Sequence, residues 1–379
     1  MKMHHTKSQT GFTLLELIIS AFIGLTLMAA ATSMFRQANY VLFVVTQRAE
    51  TQQNMRAGIE LMTKDLSMAG AGLPSGGLQL PTSGGSSKIA CSTQSGTCYI
   101  TGDVYPTGNF MYGIIPGYNN GVQNGPITAA PSAVNDSVTS IYCDYNFPLN
   151  NFTFTFPSST QATVAVVNAA ATPNNILAPG GLNVGDLLLF IVSSPGNGTG
   201  NQGTSSVQTG VAVADITGIP NNTTIDFASG DILNLNQSGA SSLASLIAGL
   251  GGGATMTVCR LYAVTYFIQV PPAGGTIQTP RLMRQVNALN AVPVADNIIN
   301  LQLSYDVINS ITGTVNANES NPVAAGLSPA LIRKVNLWVM GQGLISGNNR
   351  SQSMYLASSV SARNMSFCNS LSDSTTQCQ

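Results

Sequence analysis

The strongest constraint on this chain lies at its start. Residues Phe12 to Phe35 form a 24-residue, mostly apolar run with one charge, Glu16. As a helix the run is about 36 Å long at about 1.5 Å per residue, more than the roughly 30 Å hydrocarbon core of a bilayer. A short polar segment with Lys2 and Lys7 precedes it, and Arg36 closes it. The basic flank is N-terminal, so the positive-inside tendency places Met1 in the cytoplasm and the chain after Arg36 outside. The run is longer than the apolar region of a secretory signal, about 7 to 15 residues, and no small-x-small cleavage site bounds it, although Ala29-Ala30-Ala31 sits inside. A plain anchor does not account for Glu16. An acid at the centre of a span costs on the order of 2.5 to 3.5 kcal/mol, less near an end, and calls for a partner.

Gly11-Phe12-Thr13-Leu14-Leu15-Glu16, followed by the apolar helix, resembles the type IV prepilin motif. The resemblance implies that a prepilin peptidase cuts between Gly11 and Phe12 on the cytoplasmic side and methylates the new amine of Phe12. Residues 1–11 are then a leader that is removed, and residues 12–36 stay as the transmembrane and filament-core half of a helix. Gly11, lacking a side chain, suits close approach of a peptidase to the scissile bond. Glu16 becomes the fifth residue of the mature chain. In that family this carboxylate pairs with the N-terminal amine of a neighbouring subunit, which neutralises two charges in an apolar setting and fixes the axial register.

The helical pattern runs on through residues 37–70. Val41, Leu42 and Val45, then Ile59, Met62, Leu66 and Ala69, recur at helical spacing with polar residues between them. They predict an amphipathic half that packs one face on a globular domain. Gly58 is the weak point, at about 1 kcal/mol relative to alanine. Gly70, Gly72 and Pro74 end the helix. No proline interrupts the apolar half, so no proline kink is expected.

Residues 75–379 read as an extracytoplasmic, β-rich domain. Leu301, Leu303, Tyr305 and Val307 alternate with polar residues, as do Val335, Leu337 and Val339. Other strand candidates are 137–147, 152–156, 186–192, 207–216, 256–270, 281–286 and 353–361, rich in β-branched and aromatic residues. The expected fold is α+β: a long N-terminal helix packed on a large antiparallel β-sheet domain with loop insertions. Residues 193–206 and 248–254, rich in Gly, Ser and Asn, read as insertions. The glycines do not make a phosphate loop, since no GK[ST] follows them.

Composition narrows the function. Only 8% of residues are charged, against about 25% in ordinary soluble domains. No Lys or Arg occurs between Lys88 and Arg260, a stretch holding seven aspartates, among them Asp144, Asp186, Asp215 and Asp231. Such a surface repels a phosphate backbone, and no nucleic-acid partner is expected. The basic residues Arg260, Arg281, Arg284, Arg333, Lys334, Arg350 and Arg363 read as solvated strand positions, and Asp144 and Asp186 as ordinary turn or strand-edge acids. The only histidines, His4 and His5, lie in the leader, so a His-based triad or metal site is excluded from the mature chain. No cofactor and no enzymatic activity are expected.

Cys91, Cys98, Cys143, Cys259, Cys368 and Cys378 all fall on the outer side, where disulfides persist. Cys91 with Cys98, and Cys368 with Cys378, can close short loops, which leaves Cys143 to Cys259. Fifteen connectivities are formally possible. From Gly185 onward the chain also resembles the PilW-type minor pilins. The matching pieces include Gly185-Asp186-Leu187-Leu188-Leu189, Leu261-Tyr262-Ala263-Val264-Thr265-Tyr266, Leu282-Met283-Arg284 and Arg333-Lys334-Val335-Asn336-Leu337, with the helix exit Asp65-Leu66-Ser67-Met68-Ala69-Gly70. Residues 74–183 and 197–252 carry no such match. This resemblance implies a minor pilin acting in pilus assembly or initiation at or near the tip. Its implied partners are other minor pilins, the major pilin, a PilY-type tip protein and the prepilin peptidase. It would sit in the inner membrane, with a periplasmic domain, before reaching the surface pilus. A large pseudopilin of a type II secretion system shares the same N-terminal chemistry. A pilin-anchored surface adhesin is the reading from another class.

Overall fold

The computed structural model describes residues 11–74, 77–100, 105, 110–119, 135–168, 170–194, 208–250, 254–270, 279–345 and 350–365. They form one long helix and an antiparallel β domain, an α+β fold. Helix α1 spans Leu14–Met68 without a break. The strands in chain order are β1 (Leu78–Gln79), β2 (Phe110–Met111), β3 (Ile114–Gly117), β4 (Ser137–Asp144), β5 (Phe152–Ser158), β6 (Gln161–Val166), β7 (Leu187–Ser194), β8 (Gln208–Asp215), β9 (Gly218–Asn221) and β10 (Thr224–Asp226). A short helix, α2 (Leu243–Ala248), capped by the Ser242 side chain, precedes β11 (Thr255–Gln269). Then follow β12 (Arg281–Val286), β13 (Val292–Asp296), β14 (Ile298–Ile308), β15 (Val315–Glu319), β16 (Ile332–Ile345) and β17 (Arg350–Ser361).

The chain divides into two units, residues 1–51 with 343–352, and residues 52–342 with 353–379. In the first, the apolar residues of the opening run are all exposed, and so are Val41, Leu42 and Val45. Those three were expected on the packing face. Helical spacing reveals an apolar stripe but not what covers it, and here the stripe is uncovered. Gln47 and Thr51 lie beside Gly343 of β16.

In the second unit the helix buries Met55, Ile59, Met62, Leu66 and Ala69, spaced by four and three residues as one helical face requires. They join a core with Ile114, Val138, Val264, Ile268 and Leu282, and with the inward residues of β14 and β16. Gly58 has a packing role: a side chain there would meet Leu282 Cδ2 at 2.9 Å and Ala295 Cβ at 3.4 Å. The glycine lets the helix approach β12 and β13. After Met68 the chain turns through Gly70 and Gly72, both with positive φ, and the Gly70 N–H donates to Ile141 O.

Three larger sheets share this unit. A seven-stranded sheet is built around β11, with order β13-β12-β11-β4-β3 and β7-β8 attached to the first half of β11. The order β5-β6-β10-β9 forms a second sheet over a core containing Phe152, Phe190, Phe227 and Ile225. The order β15-β14-β16-β17 forms a third. Residues 74–183 and 197–252, without a match by resemblance, supply β1–β6, β8, β9, β10 and α2. The expected strands are present with boundaries shifted by a few residues. The missed ones (β1, β2, β3, β6, β9, β10, β13 and β15) are short.

Disulfides join Cys91 to Cys98 and Cys143 to Cys259. Cys368 and Cys378, the leader with His4 and His5, and most of 193–206 lie outside the described residues.

Candidate functional site

The start of α1 is a capping box. Thr13 occupies the N-cap, and its Oγ1 accepts from the Glu16 N–H at 3.3 Å. Glu16 reaches back: its Oε2 accepts from the Thr13 N–H at 3.2 Å and from Thr13 Oγ1 at 3.3 Å. Both bonds fall on Oε2, and Oε1 accepts none among the described residues. Thr-x-x-Glu before an apolar run is a sequence-level signal for this arrangement, although Thr13 was not singled out above. The carboxylate is thereby held toward the N-terminal end of the helix, where the partial positive charge of the helix favours an anion. Phe12, the residue just before the cap, is 84% exposed. An 18-residue window of this helix has mean hydropathy 2.2 and is wholly unburied. An apolar surface of this size in water is unfavourable, so it belongs in lipid or against other helices.

The other end of the helix carries a second acid in the opposite setting. Asp65 lies on the buried face. Its Oδ2 accepts from Tyr266 Oη at 2.5 Å and Arg284 Nε at 2.8 Å, and its Oδ1 from Tyr142 Oη and Arg284 Nη2, each at 3.2 Å. The Ser140 hydroxyl donates to the Asp65 carbonyl at 2.7 Å. Three strands of one sheet, β4, β11 and β12, thus converge on one carboxylate. Burial, then the Asp65 charge, push both tyrosine hydroxyls up, keeping them protonated donors. Burial opposes the charge on Arg284, but the hydrogen bonds and charge of Asp65 outweigh it and raise its pKa.

A third polar group corrects the reading of Arg260 as a solvated strand position and of Asp144 and Asp186 as ordinary turn or strand-edge acids. All three are buried. Arg260 Nε and Nη2 both donate to Asp144 Oδ2, Nη1 donates to the carbonyls of Gly180 and Gly181, and Asp186 lies 3.9 Å from Nη1. The guanidinium also sits 5.1 Å from the Tyr262 ring centroid. Arg281 pairs with Asp296 and Lys334 with Asp306. With so few charges in the chain, these are paired ones.

Asp215 is the exception. It is fully buried, and neither carboxylate oxygen has a hydrogen-bond partner among the described residues. Burial, followed by the charges of Asp231 and Asp186, pushes its pKa up to about 8. Among the described residues no group of three or more His, Cys, Asp or Glu is placed to hold a metal.

Comparison with protein families matches residues 6–32 to the prokaryotic N-terminal methylation motif. The chain carries a prepilin-type N-terminus. That signature supports a type IV pilin-like or pseudopilin protein, and it covers Gly11, Phe12, Thr13 and Glu16. No curated protein and no solved structure matches the chain. The motif and the exposed apolar helix together fit a membrane-anchored pilin-like protein.

Proposed function

We propose that the chain is a minor pilin that helps assemble or initiate a type IV pilus at or near its tip. The supporting observation is the methylation motif at the head of a helix whose first half buries nothing in its own chain. The protein works by assembly rather than by catalysis. Peptidase cleavage after Gly11 creates an amine on Phe12. The Glu16 carboxylate, aimed N-terminally by Thr13, meets the amine of a neighbouring subunit in the filament. The helix enters from the inner membrane with its leader in the cytoplasm, and the β domain faces the periplasm and later the cell surface. Its partners are the major pilin, other minor pilins and a PilY-type tip protein. The size of the β domain favours a rare subunit over a densely repeated one.

The experiment is a deletion strain scored for surface pili, twitching and protein secretion, with N-terminal sequencing of the native protein. A methylated Phe12 terminus and loss of pili are expected. Loss of secretion with normal pili would instead make it a pseudopilin. A terminus at Met1 would end the prepilin reading.

A further inference from the structure

The edges of the sheets differ in how they are protected. An unpaired strand edge exposes backbone N–H and C=O groups that template another strand, and proteins blunt such edges with proline, charge, bulges, brevity or a cover. Nearly every described edge of the three large sheets follows this rule. β3 is four residues long and contains Pro116; β9 is equally short and contains Pro220. β5 carries Pro157 and an irregular register, while β13 carries Pro293, Asp296 and a bulge. β15 is short, bulged and ends on Glu319. The open side of β8 is closed at Asp215 by Asn236, whose side-chain amide accepts from the Asp215 N–H and donates to its carbonyl.

β17 lacks three of these devices: brevity, proline and, beyond Arg350, charge. It is 12 residues long, and after Arg350 it contains no charge and no proline. It ends the sheet order beyond β16. Its residues alternate along Ser353–Ser361: Met354 and Leu356 turn inward, half-buried against the main core, and Val360 is buried. Ser353, Tyr355, Ala357 and Ser359 turn outward and are exposed, Tyr355 at 72%. The Tyr355 ring stacks on Trp338 of β16 at 6.1 Å.

We propose that the β17 edge over Ser353–Ser361 is a docking site for an extended strand of another pilin-class subunit, added by β-augmentation. The edge specifies its occupant. Backbone groups at the strand spacing of about 4.8 Å are matched by another extended backbone. Half-buried Met354 and Leu356 call for apolar residues at alternate positions of the incoming strand, and the absence of charge calls for an uncharged segment. The Trp338–Tyr355 pair provides a cross-strand aromatic surface beside it. The proposal rests on the pilin reading, since assembly through neighbouring N-terminal helices would hold such a strand at high local concentration.

The test places the photo-crosslinking residue benzoylphenylalanine at Tyr355 of the full chain in the producing cell, with Ile311, 92% exposed at a hairpin turn, as the control position. Irradiation is expected to join position 355, but not 311, to a different pilin-class protein. The double substitution Ala357→Lys with Ser359→Lys is expected to lower the adduct about tenfold, as charge on an edge should, with Cys143 and Cys259 still protected from thiol reagents as a check on folding. No adduct from 355 in cells whose protein begins at Phe12 would overturn the docking site and leave the pilin reading standing. An adduct between two copies of this chain would overturn the proposed source. A protein that begins at Met1 would overturn the pilin reading itself.

Discussion

Glu16 and Asp65 are acids near the two ends of one helix, and their surroundings are opposite. Glu16 is exposed, bonded only to Thr13 three residues away, with one oxygen left over. Asp65 is buried and bonded to groups from three strands, the farthest 219 residues on in sequence. The first carboxylate is satisfied well enough to fold and incompletely enough to take a partner. The second is saturated, so it fixes the helix to its own domain. A charge kept for assembly must stay near the surface of its own chain; a charge used for anchoring must be enclosed and fully paired.

The largest effect that would break this comparison is on assembly. Glu16→Ala should leave cleavage at Gly11 and the folded domain intact while surface incorporation falls to background, read by immunoblot of sheared filaments. Normal incorporation would remove the pairing role. Asp65→Ala should do the reverse to the fold. It strands Arg284 and two tyrosine hydroxyls and should cost about 3 to 5 kcal/mol, measured by denaturant unfolding of the full chain in detergent. A loss below about 1 kcal/mol would mean that the clamp is ornamental.

Asp215 sharpens the same contrast, being an acid that is enclosed and unpaired. Its ordinary pKa of 3.8 rises to about 8 on folding. Between those values the native chain holds a proton that the unfolded chain has released, so stability falls as pH rises through that window and the penalty is complete above about pH 8. Asp215→Asn should therefore raise the melting temperature at pH 8 more than at pH 4 and flatten its decline between them. An unchanged slope would place the titration elsewhere. Thr13→Ala has the smallest expected effect, about 1 kcal/mol on the first turn of the helix. Its sharper readout is assembly: incorporation should fall part of the way toward that of Glu16→Ala, since the carboxylate loses its aim.

Much of the fold was legible because it follows from local pattern. Leu301, Leu303, Tyr305 and Val307 alternate cleanly and lie in β14, and Arg281 to Val286 form β12 with the expected ends. Short strands such as Val292–Asp296 and Val315–Glu319 were not, since proline, asparagine and exposed positions hide their alternation and pairing with a neighbour is what makes them strands. Ser242, a helix N-cap, signalled α2 just ahead of the glycine-rich stretch 248–254, where no helix was read. Arg260 and Arg284 look on paper like other strand arginines. Only Asp144 and Asp65, brought from 116 and 219 residues away, show both to be paired, Arg260 fully buried and Arg284 half-buried.

The sequence alone determined the N-terminal processing motif, the single long helix without a proline kink, and the α+β class, because each depends on neighbours within a few residues. The tertiary structure decided which part of the helix's apolar stripe is covered, why Gly58 must be small, and which acids are clamped, orphaned or left available. Those outcomes depend on which surfaces meet, and desolvation assigns a charge its cost only once they have met.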